Sequence, residues 1–364
     1  MKNKILILTS EFPPGPGGIG NHAFNLAKQL LKNNFDVKVL APRQNKTDQR
    51  IFDLPKNFKI KRYPNFFITK FFWIIALLII LVLKNNYKVL IASGQSSLIC
   101  GSIFSKIFFK KSIAIFHGHE LRLGNQLITK LLNILISRFD KIISVSKFSG
   151  YRALESNSKL NISVINNGFD PNKFKKGYKS LSSETNSIKL ITLGSLSYRK
   201  GQHNVINALP HIREHYEKVE YEMIGNPNIA GELENLAINL GVDDLISING
   251  YLDDEAVIEK LSNADIFIML SENVTSGDVE GFGISILEAN YLGLPAIGSL
   301  GCGIEDAIKD GYNGKLVNNK NHKGLVRVIK IILKDYQKFS YNSVEWAKNR
   351  TWDKLIDRYL KEIK

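Results

Sequence analysis

The sequence predicts an α/β protein with two domains, each built on a parallel sheet that helices cover. The chain has 364 residues, and a single hydrophobic core stops growing at about 250–300 residues. Short apolar segments alternate with helical patterns along the chain, which is typical of parallel sheets with helices on their faces. One polar, Lys- and Ser-rich segment interrupts this alternation. We therefore expect a first domain over residues 1–168, a linker over 169–187 and a second domain over 188–345.

The segments expected to form strands are short and rich in β-branched residues. In the first domain they read KILILT, DVKVLA, KVLIAS, SIAIFHG, KIISVS and NISVINNG. In the second domain they read IKLITLG, VEYEMIG, DLISING, ADIFIML and LPAIGS. The start of the chain, MKNKILILTSEF, has an apolar stretch too short for the core of a signal peptide. It is therefore interpreted as the first strand.

The longest hydrophobic run, FFWIIALLIILVL over residues 71–83, predicts a helix of the first domain. Its thirteen residues are too few to span a bilayer, since a spanning helix needs about 20. Three interpretations stay open: a buried or partly buried helix of the domain, a helix lying in the plane of a membrane interface, and a true span if the run extends back to Phe66. Basic and aromatic residues accompany the run and suit such an interface: Lys61, Arg62, Tyr63, Lys70, Trp73, Lys84, Tyr87 and Lys88.

Composition and charge narrow the class of protein. Hydrophobic residues make up 44% of the chain and charged residues 23%, as in ordinary globular proteins. Two cysteines, Cys100 and Cys302, argue against a disulfide framework and fit a reducing cytosol. Residues 1–170 contain 25 Lys+Arg and 8 Asp+Glu, a net charge of +17, whereas residues 171–364 contain 24 and 26, a net charge of −2. The sequence predicts a cytoplasmic protein whose basic half either contacts an anionic membrane surface peripherally or is simply solvated.

The loop FPPGPGGIGNH fits the pattern G-x-G-x-x-G from Gly15 to Gly20. In a dinucleotide-binding fingerprint the first glycine follows the strand directly and an acidic residue ends the second strand. Here residues 10–14 intervene, and the second strand ends at Pro42 and Arg43. The pattern therefore disfavours a dehydrogenase and favours a loop whose backbone N–H groups approach a phosphate or a sugar.

Two segments of the second half predict an anion site. In GDVEGFGISILEANYLGLP, Glu280 precedes a helix that begins near Gly283, and Glu288 follows eight positions after Glu280. The free N–H groups at such a helix start present partial positive charge to a diphosphate. In GSLSYRKGQ, Arg199 and Lys200 follow a strand, at the place where a ligand phosphate binds in parallel sheets. A surface loop with solvated charges is the alternative for each segment.

Several other chemistries lack their motifs. His117 and Glu120 lie close together in HGHE, but no further His/Cys cluster completes a zinc site. The chain has no G-x-S-x-G elbow for a nucleophilic serine, and no motif that reads nucleic acid. A helix-borne Glu288 fits nucleotide binding better than a glycosidase pair. No D-x-D triplet occurs, and residues 253–255 (DDE) are typical of a helix start, so neither a metal nor another cofactor is expected.

These motifs together resemble the GT-B glycosyltransferases of family 4, which are retaining enzymes that use nucleotide-activated sugars. The resemblance covers nearly the whole chain. It rests on GPGGIGNH, FHGHEL, SVSKFS, VINNGFDPNKF, GSLSYRKG and EGFGISILE, the last being the family's E-x7-E element. Within the family, GDVEGFGI and HGHE are most similar to enzymes that mannosylate phosphatidylinositol-type lipids. The resemblance implies two Rossmann-like domains whose parallel sheets face each other across a cleft.

The resemblance also implies a reaction. A hexose, such as mannose or glucose, would pass from a nucleotide diphosphate sugar to a glycan or lipid-linked acceptor in the synthesis of cell-envelope polysaccharide or glycolipid. The acceptor would attack from the same face that the leaving phosphate occupies. The end of the chain, residues 346–364 with Trp346, Trp352 and Tyr359, is similar to the family's tail helix that crosses back onto the first domain.

Site residues follow from the same resemblance. Lys200 would neutralise the leaving diphosphate, and Glu288 would hold the ribose hydroxyls. Glu280 would hold the donor sugar. From the other domain His117 would contact the sugar near the reacting centre. Backbone groups would complete the site: Gly17 and Gly18 at the diphosphate, and Gly281, Phe282, Gly283 and Ile284 beside the sugar.

One position departs from the family's pattern. The turn G-x-L-x-x-x-K-G usually has arginine directly after its first glycine, and this chain has Ser195 there. Arg199, beside Lys200, is a candidate replacement. Three other functions stay open: a GT-B sugar-nucleotide epimerase, a phosphorylase with a lysine-linked cofactor, and a sugar-nucleotide-binding protein without activity.

Overall fold

A computed structural model describes residues 3–54, 57–66, 69–118, 120, 126–174, 186–274 and 277–364, with the backbone alone for 126–129. The chain divides into two compact units. The first comprises Met1–Gly168 and Trp352–Lys364, and the second comprises Phe169–Thr351. Each unit contains a parallel sheet with helices around it, which confirms the predicted α/β class.

The sheet of the first unit has seven strands in the order β3-β2-β1-β4-β5-β6-β7. The strands are β1 (Lys4–Thr9), β2 (Asp36–Pro42), β3 (Lys59–Tyr63), β4 (Val89–Ser93), β5 (Lys111–Phe116), β6 (Lys141–Ser144) and β7 (Ile162–Val164). The direction of winding reverses between β1 and β4, where Ser10 N donates to Ser93 O at 3.0 Å. The crevice at the carboxyl ends of such a strand pair is where ligands bind in open parallel sheets.

Helices cover both faces of this sheet. In the described residues they are α1 (Gly18–Lys32), α2 (Lys46–Asp53), α3 (Thr69–Lys84), α4 (Gln95–Phe108), α5 (Gln126–Ile136) and α6 (Lys147–Ser156). Buried side chains of α3, α4 and α5 share one core with sheet residues such as Leu8 and Leu90. Right-handed crossovers place these three helices on the same face.

The second unit has a six-stranded sheet in the order β10-β9-β8-β11-β12-β13. Its strands are β8 (Ser187–Leu193), β9 (Lys218–Ile224), β10 (Ile246–Asn249), β11 (Ile266–Met269), β12 (Ala296–Ser299) and β13 (Gly314–Val317). Its helices are α7 (Gln202–Arg213), α8 (Ala230–Asn239), α9 (Asp254–Asn263), α10 (Ile284–Tyr291), α11 (His322–Lys334) and α12 (Tyr336–Lys348). Here the winding reverses between β8 and β11.

Two strands, β3 (KIKRY) and β13 (GKLV), are absent from the predicted set. Each lies at an edge of its sheet. An edge strand has a neighbour on one side only and tolerates charged residues, so its sequence lacks the apolar run that identifies a central strand. Both cysteines, Cys100 and Cys302, are buried and free.

The end of the chain forms two helices where the sequence suggested one. Trp346 lies in α12 of the second unit, and α12 ends at Lys348. The last helix, α13 (Trp352–Ile363), belongs to the first unit. It packs on α1, where the Tyr359 hydroxyl lies 2.8 Å from His22 Nε2. Of the expected linker, residues 175–185 lie outside the described residues.

The long hydrophobic run forms α3 (Thr69–Lys84). Among the described helices none combines the length and the apolar character that crossing a membrane requires. Only Ile74, Leu78 and Leu81 of α3 are buried. The helix is therefore a partly buried element of the first unit.

Candidate functional site

In the second unit, the predicted site residues follow the adjacent strands β8 and β11 at their carboxyl ends. The turn after β8 contains Lys200 in a short 3-10 helix, Tyr198–Lys200, whose start the Ser197 hydroxyl caps by accepting from Lys200 N. Gly201 follows with a φ of +77°, and a Cβ there would lie 1.8 Å from the Leu270 carbonyl oxygen. Only glycine allows the turn to pack this closely on the end of β11.

The side chains of this turn meet the acidic loop. Lys200 Nζ lies 2.8 Å from Glu280 Oε2, and Arg199 Nη1 contacts the same oxygen. Arg199 Nε also lies 3.0 Å from Asp278 Oδ2. The exposed fractions are 13% for the Lys200 side chain and 9% for that of Glu280. The fold therefore joins two predicted segments, some 80 residues apart in sequence, into one buried ion cluster.

The two cations determine the protonation of Glu280. Burial by itself would raise its pKa, but the charges of Lys200 and Arg199, with a hydrogen bond from the Phe282 backbone N–H, lower the pKa to about 2. Glu280 is therefore ionised at neutral pH. Two positive and two negative side chains balance in this cluster, because Asp278 adds a second carboxylate. A ligand phosphate would have to compete with Glu280 for Lys200.

The segment Gly281–Gly283 leads from this carboxylate into α10. A Cβ at Gly303 would lie 2.0 Å from the Gly281 carbonyl oxygen. The backbone of Gly303 can therefore pack directly against the backbone of Gly281 only because residue 303 has no side chain. Gly283 has a φ of +86° and precedes α10 without a side-chain cap. Phe282 is buried and Ile284 is half-buried. A helix start without a side-chain cap keeps N–H groups for an anion.

Glu288 lies four residues after Ile284, hence on the same side of α10 and one turn further along. Its side chain is half-buried. Burial raises the pKa of this carboxyl, while Lys173 opposes the shift and Asp254 adds to it. Within the described ranges the Glu288 carboxylate has neither a hydrogen-bond nor an ion-pair partner. It is thus an acceptor that a ligand hydroxyl could satisfy.

Two groups near this edge escaped the sequence analysis. Asp278 pairs with Arg199. Glu272 follows β11 and lies 3.1 Å from Asn204 Nδ2 and 3.4 Å from His203 Nε2. The signal for Glu272 was its place directly after the strand ADIFIML, where polar residues face the carboxyl edge of the sheet. Ser195, at the position where arginine is usual in the family's turn, is half-buried. Its carbonyl oxygen accepts a hydrogen bond from Gln202 Nε2 at 3.4 Å.

In the first unit, the glycine loop joins β1 to α1. Gly17 directly precedes α1 with a φ of +137°, and a Cβ there would lie 2.0 Å from Glu11 Oε2. Gly18 begins the helix, and a Cβ there would meet nothing within 4 Å. A Cβ would also lie 2.6 Å from Gln44 at Gly15 and 2.9 Å from the Phe12 backbone N at Gly20, so of these four glycines Gly18 alone has open space beside its backbone.

His117 follows β5, two strands from β1 in the sheet. Its Nε2 lies 2.9 Å from the Ser93 hydroxyl at the end of β4. The Glu120 carboxylate accepts from the backbone N–H groups of His117 and Gly118 at 2.8 and 2.9 Å. His119 lies outside the described residues. The glycine loop and His117 thus belong to the same carboxyl edge of this sheet.

His22, also missed as a site residue, lies beside His117. The ring centroids are 5.2 Å apart in an edge-on arrangement. Burial lowers the pKa of His22 to about 3, so the ring is neutral. Its Nε2 meets the Tyr359 hydroxyl, whereas its buried Nδ1 has no hydrogen-bond partner among the described groups. The sequence signal was its place in GPGGIGNH.

Across the described ranges no three His, Cys, Asp or Glu side chains lie together as a metal site would need.

Family models match nearly the whole chain. Residues 174–350 match the model described as "Glycosyl transferases group 1", and residues 16–173 match "Glycosyltransferase Family 4". An uncharacterized glycosyltransferase of Methanocaldococcus jannaschii is 26% identical over 99% of this chain and 98% of its own length.

Two further proteins are similar over most of their length. A GDP-mannose-dependent alpha-(1-6)-phosphatidylinositol monomannoside mannosyltransferase of Mycolicibacterium smegmatis is 22% identical, over 91% of this chain and 89% of its own. The crystal structure of Anabaena HepE in complex with UDP and glucose has a TM-score of 0.78 at 20% identity and covers 99% of this chain and 98% of its own. This likeness shows the fold.

Proposed function

Because the chain belongs to the group 1 glycosyltransferases of the GT-B fold, we propose that it transfers a hexose, with retention, from a nucleotide diphosphate sugar to a glycan or lipid-linked acceptor. The observation that supports this most is the buried cluster of Lys200, Arg199 and Glu280 beside the open start of α10. It supplies cations, backbone donors and a carboxylate, and a nucleotide sugar needs all three.

Departure of the nucleotide places negative charge on the diphosphate and positive charge on the sugar. Lys200 neutralises the diphosphate, and the N–H groups at the start of α10 add fixed partial charge. Such preorganised groups stabilise a developing charge, and loss of one typically costs about 10²–10³ in rate. Arg199 substitutes only in part for the arginine missing at position 195, because it is shared between Glu280 and Asp278.

Glu280 has two roles in this proposal. In the ligand-free protein it holds Lys200 in place at 2.8 Å. With a donor bound, it accepts hydrogen bonds from sugar hydroxyls, beside the backbone of Gly281 and Phe282. Its low pKa keeps it an acceptor, because an ionised carboxylate only accepts. When the donor binds, the ion pair between Lys200 and Glu280 is replaced by two ligand contacts. Glu280 then contacts the sugar hydroxyls, and Lys200 contacts the phosphate.

Glu288 holds the ribose hydroxyls. Its carboxylate is half-buried, has no hydrogen-bond partner in the part of the chain that the structure describes, and has a raised pKa, so ionisation costs free energy until donors arrive. In the first unit, the open backbone at Gly18, beside Gly17, can donate to a phosphate, and His117, which follows β5, can contact a sugar hydroxyl. No metal is needed in this scheme, since the leaving group is neutralised by side chains and a helix start.

The acceptor attacks on the face from which the nucleotide departs, and the departing phosphate takes its proton. The new bond joins the acceptor oxygen to the anomeric carbon, and the bond from that carbon to the phosphate oxygen breaks. For the acceptor we propose a glycan or glycolipid of the cell envelope. The similarity to a phosphatidylinositol monomannoside mannosyltransferase supports this class.

A donor panel tests the proposal. Thermal stabilisation is measured with UDP-, GDP-, ADP- and dTDP-sugars, and a donor at about 100 times its dissociation constant should add ~2.7 kcal/mol. Glu288→Gln is the matched variant. Loss of a hydrogen bond to a charged group costs about 1.5–3 kcal/mol, so its affinity for the best donor should fall roughly 10–100-fold. The unliganded variant should be at least as stable as the wild type, because it lacks a carboxylate with a raised pKa.

Three results would contradict the proposal. If no nucleotide sugar stabilises the protein, the donor site does not exist. If a donor is converted to its epimer without any acceptor, the protein is an epimerase. Binding without turnover across a broad acceptor panel would favour a non-catalytic binding protein.

A further inference from the structure

The outward face of α3 (Thr69–Lys84) is apolar along its length. Residues 71–83 contain no charged or polar side chain. The buried residues Ile74, Leu78 and Leu81 are spaced four and three apart, so they form one stripe that packs on the sheet. The opposite stripe is solvent-exposed, with exposed fractions of 68%, 42%, 42%, 45% and 75% for Phe72, Trp73, Ile79, Ile80 and Leu83. A helix at a water-facing surface normally has polar residues there.

Neighbouring helices extend this apolar surface. α4 and α5 share the core of α3, so their outer sides face the same way. Those outer sides expose Ile103, Ile107 and Phe108 of α4, and Leu131 and Ile134 of α5. These five α3 side chains alone expose roughly 400–700 Å², taking about 150–250 Å² for each whole side chain. Contiguous apolar patches above a few hundred Å² mark binding surfaces.

The charge around this surface is almost entirely positive. Residues 54–139 contain thirteen lysines and arginines and a single acidic residue, Glu120. Glu120 is buried and bonded to backbone N–H groups, so it contributes no acidic group to the surface. The exposed lysines of the three helices and their connections include Lys84, Lys88, Lys110 and Lys130, whereas Lys106 pairs with Asp140. An apolar stripe bordered by lysines is complementary to a bilayer with anionic headgroups.

We propose that α3, with the adjoining outer sides of α4 and α5, lies in the interface of a bilayer that contains anionic lipid. The sixteen residues of α3 make it about 24 Å long, so it inserts in the plane of the interface. The exposed aromatic rings of Phe72 and Trp73 lie at the headgroup boundary, where such side chains are favoured. This docking surface is a property of the first unit alone and does not depend on the donor or the sugar transferred.

Vesicle sedimentation of the full-length protein tests the apolar contact. Phosphatidylcholine vesicles with and without phosphatidylglycerol are compared at low and high salt. We expect binding to the anionic vesicles that weakens with salt. The variant Phe72→Gln, Ile80→Gln, Leu83→Gln should bind at least ~10-fold more weakly, because interfacial affinity follows buried apolar area. The matched control Ile238→Gln, Tyr251→Gln, Tyr341→Gln removes three exposed apolar side chains of the second unit and should bind like the wild type.

A second pair of variants tests the charge. Lys84→Glu with Lys110→Glu should lower binding to anionic vesicles at least ~10-fold, since each basic residue near the surface contributes substantially. Lys338→Glu with Lys354→Glu makes the same change of net charge elsewhere and should have little effect. Unchanged melting temperatures of all four variants show that the fold is retained.

Three outcomes would overturn the proposal. One is no binding of the wild type to either vesicle, and another is equal binding to neutral and anionic vesicles. The third is a concentration-dependent dimer in the absence of lipid that the α3 variant abolishes, because a second copy of the chain would then cover this face.

Discussion

The role of Lys200 gives the sharpest prediction. Lys200→Met removes the ammonium group and keeps most of the apolar stem, which is largely buried beside Glu280. At present two cations and two carboxylates balance in the cluster. After the substitution Arg199 faces both carboxylates alone, and the site bears one net negative charge where a diphosphate must leave.

The size of the effect follows from the charges. A unit charge about 4 Å from a phosphate oxygen is worth about 4 kcal/mol at an effective dielectric constant of ~20. Since each 1.36 kcal/mol is tenfold in rate, kcat should fall by about 10²–10³, as for other preorganised donors. Arg199→Met should lower kcat by less than Lys200→Met, because Arg199 is already shared with Asp278.

The assay follows release of the nucleoside diphosphate from the donor that stabilises the protein most, with kcat and KM determined separately. A loss of folding must be excluded, because removing one partner of a buried ion pair can cost about 3–5 kcal/mol. Lys200→Met with Glu280→Gln removes the uncompensated carboxylate, so it should regain stability without regaining activity. Lys218→Met, at a surface pair with Glu220, is the matched control and should keep wild-type kinetics.

The reasoning is refuted if folded Lys200→Met turns over donor at near the wild-type rate. A rise in KM alone, with kcat unchanged, would also contradict it, because that pattern reports the loss of binding common to ground and transition states.

Two further predictions concern the first unit. Gly17→Ala should lower the free energy of unfolding by about 1–3 kcal/mol, since alanine is strained at the positive φ of residue 17 and would clash with Glu11. Gly18→Ala should keep the wild-type melting temperature and lower only activity. Equal melting temperatures of the two variants would contradict this difference. His22 is neutral in the folded protein until about pH 3 but binds a proton near pH 6.5 when unfolded, so below pH 6.5 it should lower stability by up to about 1.4 kcal/mol per pH unit. Urea unfolding from pH 7 to 4 should show the stabilities of the wild type and His22→Gln diverging by this slope, since the lowered pKa values of His203 and His322 act equally in both proteins; parallel curves would disprove it.

Most of the helices and strands could be predicted from the sequence. Central strands such as β1 and β8 have apolar runs that only a buried strand explains. The edge strand β3 lacks such a run, because Lys59 and Lys61 face solvent and Arg62 is buried in a pair with Asp53. The division of the last residues into α12 and α13 also escaped, since both helices are amphipathic and the break at residues 349–351 has no proline or glycine.

The site was predicted as separate segments, and the segments were correctly placed at strand ends. The direction of Arg199 could not be read, because a side chain next to a turn can point either way. The structure shows it at Glu280 and Asp278. Nor did sequence single out His22, whose neutrality depends on burial against α13 more than 300 residues away.

By itself, the sequence determined the two parallel-sheet units, the glycine turns and the acidic and basic segments, because strand patterns and turn residues are local properties of the chain. Only the tertiary structure decided which charges meet. It joined Lys200 to Glu280, left Glu288 half-buried and turned the apolar stripe of α3 outward. Burial and charge pairing depend on neighbours distant in sequence, and these neighbours set the pKa values and the exposed surfaces.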